Sequence, residues 1–487
     1  VKRFSGFLAL LLLALLALLA FRALRLESVQ VAAPPTDAIP VDASLAARHL
    51  GEAIRFQTIS VQEGGDAHAA AFRGLSAFLE RSYPRVHAQL SRESIGAHSL
   101  LYTWQGRDAE APPLLLAAHL DVVPVEPGTE GDWQQPPFAG RRVDGAVWGR
   151  GALDDKGSLI AMLEAVESLL ARGFTPARPI LLAFGHDEEI GGHHGAAEIA
   201  ASLAGRGVSL DAVIDEGGVV ADGMLDLMGG PVAVVGVAEK GSVSLELSLR
   251  DAGGHSSTPP PHSAIGILAE ALTRLERNPM PARIDGTTRR FLEVLAPELA
   301  FPARLALANL WLSEAPLTRV FSRQPPLDAM VRTTTAVTMF HGGVKANVLP
   351  KSASAVVNFR ILPGDTIEDV VEHVRRTIDD ERIEVRPTGA ARPRNPSPIS
   401  PDDSPEYLAL ARAIRATHPD AVVAPYLVVG GTDARHYASL TPYVYRFVGF
   451  RLGPEALKLA HGTDERVSVA NLEGCVRFYD ALIRGWP

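Results

Sequence analysis

The sequence predicts a two-part α/β protein, with helices on both faces of a mixed sheet and an inserted ferredoxin-like α+β unit. Three observations carry this expectation. The segments LLLAAHLDVVP, PILLAFGHDEE and LDAVIDEGG each place a short apolar run, of the length of a fully buried strand, directly before polar residues. Between the first two lies GSLIAMLEAVESLLARG, whose apolar residues recur at helical spacing. From about Lys240 the pattern changes: GSVSLELSLR alternates by twos, as a half-buried antiparallel strand does.

Taken in order, residues 1–26 hold a nearly unbroken apolar run from Phe4 to Phe21, with Lys2 and Arg3 before it and Arg22 and Arg25 after it. Such a run reads as a single membrane anchor that leaves the bulk of the chain exported, to the periplasmic or extracellular side, or as a signal segment removed after export. A cleavage site at Val31, Ala32 and Ala33 is disfavoured by Pro34. Residues 27–41, with three prolines and little periodicity, read as a linker. Residues 42–238 form the first part of the large domain, where alternating buried strands and helices bring strand carboxyl ends, and any ligand site, to one edge.

In residues 239–396 the order is a strand (GSVSLELSLR), a helix (SAIGILAEALTRLERN), two strands (TTTAVTMFHGG, SASAVVNFRIL), a helix (IEDVVEHVRRTIDD) and a strand (RIEVRP). That is a β-α-β-β-α-β unit, expected as a lid. Residues 280–330, rich in Leu, Phe, Pro and Arg, interrupt it as a helical insertion. The Pro-rich ARPRNPSPISP leads back to residues 397–487, where SPEYLALARAIRATH and LEGCVRFYDALIRG return as helices of the large domain.

Composition narrows the function. A chain of 487 residues at 47% hydrophobic is long enough for two or three packed domains. A formal charge of -9, with both signs interspersed, leaves no basic stripe for nucleic acid. Cys475 is the single cysteine, which rules out an intrachain disulfide and cysteine-rich zinc modules.

Five candidate metal ligands fall at or near the ends of expected strands or in late loops: His119 in AAHLD, Asp154 in GRGALDDKG, Glu189 in HDEEIGG, Asp215 in IDEGG and His461 in AHGTDE. Two imidazoles and three carboxylates are the mixed nitrogen and oxygen set that suits Zn2+, with Co2+ or Mn2+ as substitutes. Five ligands are too many for one catalytic ion with an open position, but with one bridging carboxylate they divide into two three-ligand sites. In IDEGG either Asp215 or Glu216 suits, and the first position after the apolar run favours Asp215. Glu188 and Glu189 are adjacent, so their side chains diverge, and one can face a metal while the other acts as a general base. Asp121 lies two residues after His119 and is available to orient its ring.

Beyond the ligands, Arg360 in NFRILPG is a bidentate clamp for a substrate carboxylate. His255 in GGHSSTPP and Asn347 in KANVLP are candidate donors to the oxyanion of a tetrahedral intermediate. VGGTDARHY supplies Gly431, Thr432 and Arg435 as further candidates. No G-x-S-x-G elbow is present, which disfavours a serine nucleophile.

The succession HLD, GRGALDDKG, DEEIGG, DEGG, AGGHSSTPP, NVLP, FRILPG, GGTDAR and HGTDE resembles the di-zinc metallopeptidases that include aminoacylase, carboxypeptidase S and bacterial glutamate carboxypeptidase, from about Asp42 to the last residue. The insertion and the apolar segment resemble most the branch of carboxypeptidase S and the N-fatty-acyl-amino-acid hydrolase. The resemblance implies a di-zinc exopeptidase-type catalytic domain in which Asp154 bridges two ions, with Glu189 and His461 on one and His119 and Asp215 on the other. It implies Glu188 as the base, Asp121 as support for His119 and His255 as the oxyanion donor. Asn347, Arg360 and the loop from Gly431 to Arg435 would then hold the substrate carboxylate. The expected reaction is cleavage of an amide next to a free carboxylate, in short peptides such as glycyl dipeptides or in N-acyl amino acids, with dimerisation through the small domain.

Overall fold

The computed structural model describes residues 2–32, 39–62, 67–225, 228–284, 286–389 and 392–487. The step from Ala33 to Pro34, and residues 33–38 of the expected linker with it, lie outside them. Helix α1 (Lys2–Leu24) is predominantly apolar between its terminal basic residues and, from Phe4 to Leu24, is long enough by length and composition to cross a membrane. It is exposed from Phe4 to Leu18 and meets the body only near its end, where Ala23 is buried. Past it, Gln30 exchanges two hydrogen bonds with the backbone of Val423, its Nε2 donating to the carbonyl at 3.0 Å and its Oε1 accepting from the amide at 2.7 Å.

The large sheet includes β1 (Ser99–Trp104), β2 (Leu114–His119), β3 (Ile180–Gly185), β4 (Ala212–Asp215) and β5 (Val232–Glu239). Every residue of β2, β3 and β4 is buried, as expected for strands covered on both faces. Strand β2 lies between β3 and β4, parallel to both, and β1 runs antiparallel to β3. Helix α2 (Lys156–Ala171) covers one face with Leu159, Leu163 and Val166, packed on Leu114, Leu116 and Leu182. Helix α3 (Ala196–Gly205) covers the other with Ile199 and Leu203, against Leu115, Leu181 and Val213. The odd and even residues of one strand thus feed two different cores, as the two-residue period of a strand requires.

The chain then leaves the large sheet to build a second one from β6 (Gly241–Arg250), β7 (Thr334–Gly342), β8 (Ser352–Ile361) and β9 (Ile383–Thr388), in the order β7-β8-β6-β9 with all pairs antiparallel. Helices α4 (Ala264–Arg277) and α7 (Ile367–Ile378, after the helices of the insertion) pack their apolar faces on Val243, Leu245, Leu247 and Leu249. A capping box between Thr366 and Asp369 starts α7. This is the β-α-β-β-α-β arrangement.

The helical insertion, which includes α5 (Phe301–Leu307) and α6 (Leu310–Phe321), does not share that core. Its Phe291, Leu295, Leu310 and Phe321 cluster with Val232 and Ala424, residues of the large sheet. Lys240 Nζ ties the insertion down by donating to the carbonyls of Ala329 (2.9 Å) and Arg332 (2.7 Å). The chain returns through α8 (Pro405–Thr417), β10 (Val422–Val428, parallel to β5), β11 (Val444–Arg446, parallel to β4) and α9 (Val469–Gly485).

Candidate metal centre

His119 is the last residue of β2 and is 1% exposed, so its ring has a fixed environment. Its Nδ1 faces the carbonyl of Asp121 at 3.1 Å and Asp121 Oδ1 at 3.3 Å, which leaves Nε2 directed to Asp154 Oδ1 at 3.0 Å. Asp154 lies just before α2, and its other oxygen, Oδ2, stands 3.0 Å from His461 Nε2. That same nitrogen is 3.1 Å from Glu189 Oε2. One carboxylate therefore faces two imidazoles, each by a different oxygen.

The residue completing the His119 side differs from the sequence expectation. His119, Asp154 and Glu216 bring one ligand atom each within 4.8 Å of one another, as do Asp154, Glu189 and His461. Asp215 is turned away: it is 2% exposed and its Oδ2 accepts the Ala434 amide at 2.6 Å. The strand period is the reason. Asp215 continues the phase of Val213, on the face of the sheet shared with Ala434, and Glu216 falls on the opposite phase. Glu216 Oε1 is 3.8 Å from His119 Nε2.

Glu188 and Glu189 follow β3 in a short 3-10 turn. Their amides donate to Asp121 Oδ1 (3.2 Å) and Oδ2 (3.1 Å), and Ser60 Oγ donates to the same carboxylate at 2.6 Å. Asp121 thus fixes the Glu188–Glu189 turn as well as the His119 ring. The turn closes on Gly192, whose φ of +65° suits glycine and where a Cβ would collide with the Asp433 carboxylate.

The cluster holds more carboxylate than the two imidazoles can balance. Burial pushes Glu188 well above the usual carboxylate range, with Asp433, Glu189 and Asp121 adding to it against His119. Burial likewise raises Glu189 and Glu216. His461 is pushed up to about 10 by its contacts with Asp154 and Glu189. Glu189 Oε1 is buried without a hydrogen-bond partner. An orphaned carboxylate oxygen, surplus negative charge and a mixed nitrogen and oxygen donor set together fit divalent cations.

Two residues that sequence reasoning missed hold this arrangement. Glu465, 0% exposed, pairs with Arg150 at 2.5 Å and accepts the amides of Leu153 (2.9 Å) and Asp154 (3.2 Å). Arg150 also donates to the carbonyl of His461 at 3.1 Å, so one buried ion pair joins the His461 loop to the turn that carries Asp154. His461 itself sits at φ +58°, a conformation few non-glycine residues adopt.

The remaining candidates divide into two groups. Arg360 and Arg435 share a cavity of about 540 Å³ with Gly191, Asn358 and Arg394. Arg435 donates to the carbonyls of Thr432 (2.5 Å) and Gly191 (2.7 Å), whereas Arg360 has no acidic partner among the described residues. Thr432 is buried and donates to Glu239 at 2.8 Å, and Gly431 lies against the Arg394 guanidinium. His255 and Asn347 lie elsewhere, on an exposed ribbon where His255 pairs with Val348 and its Nδ1 accepts from Ser257. Among the described residues, neither makes a hydrogen bond or ion pair with the carboxylate cluster.

Comparison with known proteins adds four findings. A model of Peptidase family M20/M25/M40 matches residues 115–485. The chain is 42% identical over 436 residues to "N-fatty-acyl-amino acid synthase/hydrolase PM20D1" of Xenopus tropicalis, covering 89% of this chain and 84% of the relative. It is 40% identical over 442 residues to "Probable carboxypeptidase S-like 2" of Dictyostelium discoideum, covering 90% and 84%. Among solved structures, the M20 family metallo-carboxypeptidase Sso-CP2 from Sulfolobus solfataricus superposes with a TM-score of 0.65 at 19% identity, over 90% of this chain and 98% of that one.

Proposed function

Because the chain belongs to Peptidase family M20/M25/M40, we propose that it is a two-metal hydrolase, with zinc as the native ion, that cleaves an amide bond adjacent to a free carboxylate. That it is an amidohydrolase follows from the family and its carboxypeptidase relatives. The observation that carries the two-metal reading is the placement of Asp154 between His119 and His461, each with a further carboxylate, Glu216 or Glu189, in reach.

His119, Asp154 and Glu216 would hold one ion, and Asp154, Glu189 and His461 the other; when bound, such ions polarise water and the scissile carbonyl. Glu188, with its carboxyl raised by burial, takes the proton of the attacking water and passes it to the leaving amine. Asp121 is a positioning residue, since it holds the Glu188 amide and the His119 ring. Arg360, open to the cavity it shares with Arg435, receives the substrate carboxylate. His255 and Asn347 reach the reacting carbonyl only if the small sheet unit closes on the site or a second copy supplies them. The edge strand β7, with Met339 51% and Phe340 41% exposed, supports dimerisation through that unit.

On the acyl side there are two readings. Short peptides fit the carboxypeptidase S-like relatives, and N-fatty-acyl amino acids fit the relatives named for that substrate, at 40 to 42% identity. Helix α1 anchors the protein in a bilayer with the rest of the chain on the exported side, a reading supported by its apolar, solvent-facing length. The test is turnover of glycyl dipeptides and of long-chain N-acyl amino acids, with reverse condensation in the same assay, for the wild type and Glu188→Ala. The variant should keep its metals and lose turnover; ordinary activity in Glu188→Ala would overturn the mechanism.

A further inference from the structure

Helix α6 turns the wrong face outward for a protein surrounded by water. Its buried residues are Leu310 and Phe321, while Trp311, Leu312, Ala315, Pro316 and Val320 are exposed. Positions 312, 315, 316 and 320 recur at helical spacing, so these side chains form one continuous apolar stripe. Trp311 is 58% exposed, whereas Trp104, Trp133, Trp148 and Trp486 are 4 to 8% exposed. Phe301 on the preceding α5 adds a further exposed ring at 45%. Contiguous exposed apolar surface of this kind marks an interaction site.

The contacts of α1 identify what it meets. The Asn309 side chain, at the turn between α5 and α6, donates to the carbonyl of Leu19 at 3.2 Å, and Arg22 donates to the carbonyl of Ala308 at 3.3 Å. At 1.5 Å per residue, Leu19 lies roughly 8 Å before the end of α1, inside the thickness of a bilayer that α1 would span. The α5–α6 turn is therefore fastened to the last stretch of the span, at the depth where a membrane passes from hydrocarbon to headgroups. Tryptophan is enriched at that depth. Arg319 and Arg323, exposed beside the stripe and without acidic partners among the described residues, suit anionic headgroups.

We propose that α5 and α6 seat in the interface of the same bilayer that α1 crosses, with the Trp311 stripe in contact with phospholipid, so that the catalytic body is held against the membrane at two places. This rests on α1 acting as an anchor. It makes the membrane surface a wall of the molecule's surroundings, from which an amphiphilic substrate can be drawn without crossing bulk water.

The experiment places the full chain in vesicles of phosphatidylcholine and phosphatidylglycerol, with part of the phosphatidylcholine brominated at shallow or deep acyl positions. Retention in the membrane pellet after an alkaline wash reads the anchor; bromine quenching of tryptophan emission reads the proposal. Shallow bromines should quench more than deep ones, and the quenching should vanish in Trp311→Phe, a change at an exposed side chain remote from the carboxylate cluster. Anchored protein whose emission no bromolipid quenches overturns the proposal and leaves the anchor standing. Protein found in the supernatant overturns both. Quenching that survives in Trp311→Phe, or Trp311→Cys copies that cross-link to one another in place of lipid contact, also overturns it, the latter in favour of a second copy on the stripe.

Discussion

Asp154 presents its two carboxylate oxygens to different imidazoles, Oδ1 to His119 Nε2 and Oδ2 to His461 Nε2, both at 3.0 Å. An aspartate in that position is shared by two candidate ligand sets, so its loss should be felt by both. In Asp154→Asn, metal content by plasma mass spectrometry should fall from two ions per chain to one or none. Losing about 4 kcal/mol of charge stabilisation corresponds to a rate about 10³-fold lower. A variant that keeps two ions and near-normal turnover would refute the shared role.

Adjacent acidic residues at the end of β4 should differ, Glu216 as candidate ligand and Asp215 as scaffold. Glu216→Gln should lose one tight metal-binding event in a zinc titration, while Asp215→Asn should retain both. The effect of Asp215→Asn should be on thermal stability, because the residue accepts the Ala434 amide. The reverse pattern would restore Asp215 as the ligand.

The Arg150–Glu465 pair is buried, and each partner also holds backbone beside the site. Glu465→Gln leaves Arg150 without its counter-charge, a change that costs about 3–5 kcal/mol. Its urea midpoint should fall by the corresponding amount, and metal affinity should fall with it as the Asp154 turn loosens. Unchanged stability would show that the pair does not bind these loops together.

Much of this was legible in the sequence, for identifiable reasons. Buried strands that end in polar residues announce where a sheet delivers candidate ligands, and His119 and Glu189, at and just after the ends of β2 and β3, follow that rule. The choice between Asp215 and Glu216 was not legible, because it depends on which face of β4 meets Ala434, a residue more than two hundred positions away in the chain. Glu465 and Arg150 are separated by 315 positions, and nothing local marks two charged residues as one buried pair. The insertion was read with the small sheet because it interrupts that sheet in sequence, but its apolar residues find their core on Val232 and Ala424.

Glu239 gives a pH dependence. Burial alone would raise its carboxyl, but Arg446, Arg435 and the hydrogen bonds from Thr432 and Arg446 hold it below the ordinary value of 4.5. A carboxyl lowered on folding contributes stability that is fully present above the unfolded value and is lost as pH falls through the folded one. Wild type should therefore exceed Glu239→Gln in urea midpoint at neutral pH, and the gap should close below about pH 4.5. A gap independent of pH would contradict the assignment.

The most direct test is a crystal of the zinc-loaded protein with anomalous difference maps at the zinc edge. Two peaks roughly 3.5–4 Å apart are expected, with Asp154 between them, His119 and Glu216 on one and Glu189 and His461 on the other. A single peak, or two peaks that Asp154 does not join, would contradict the two-metal account.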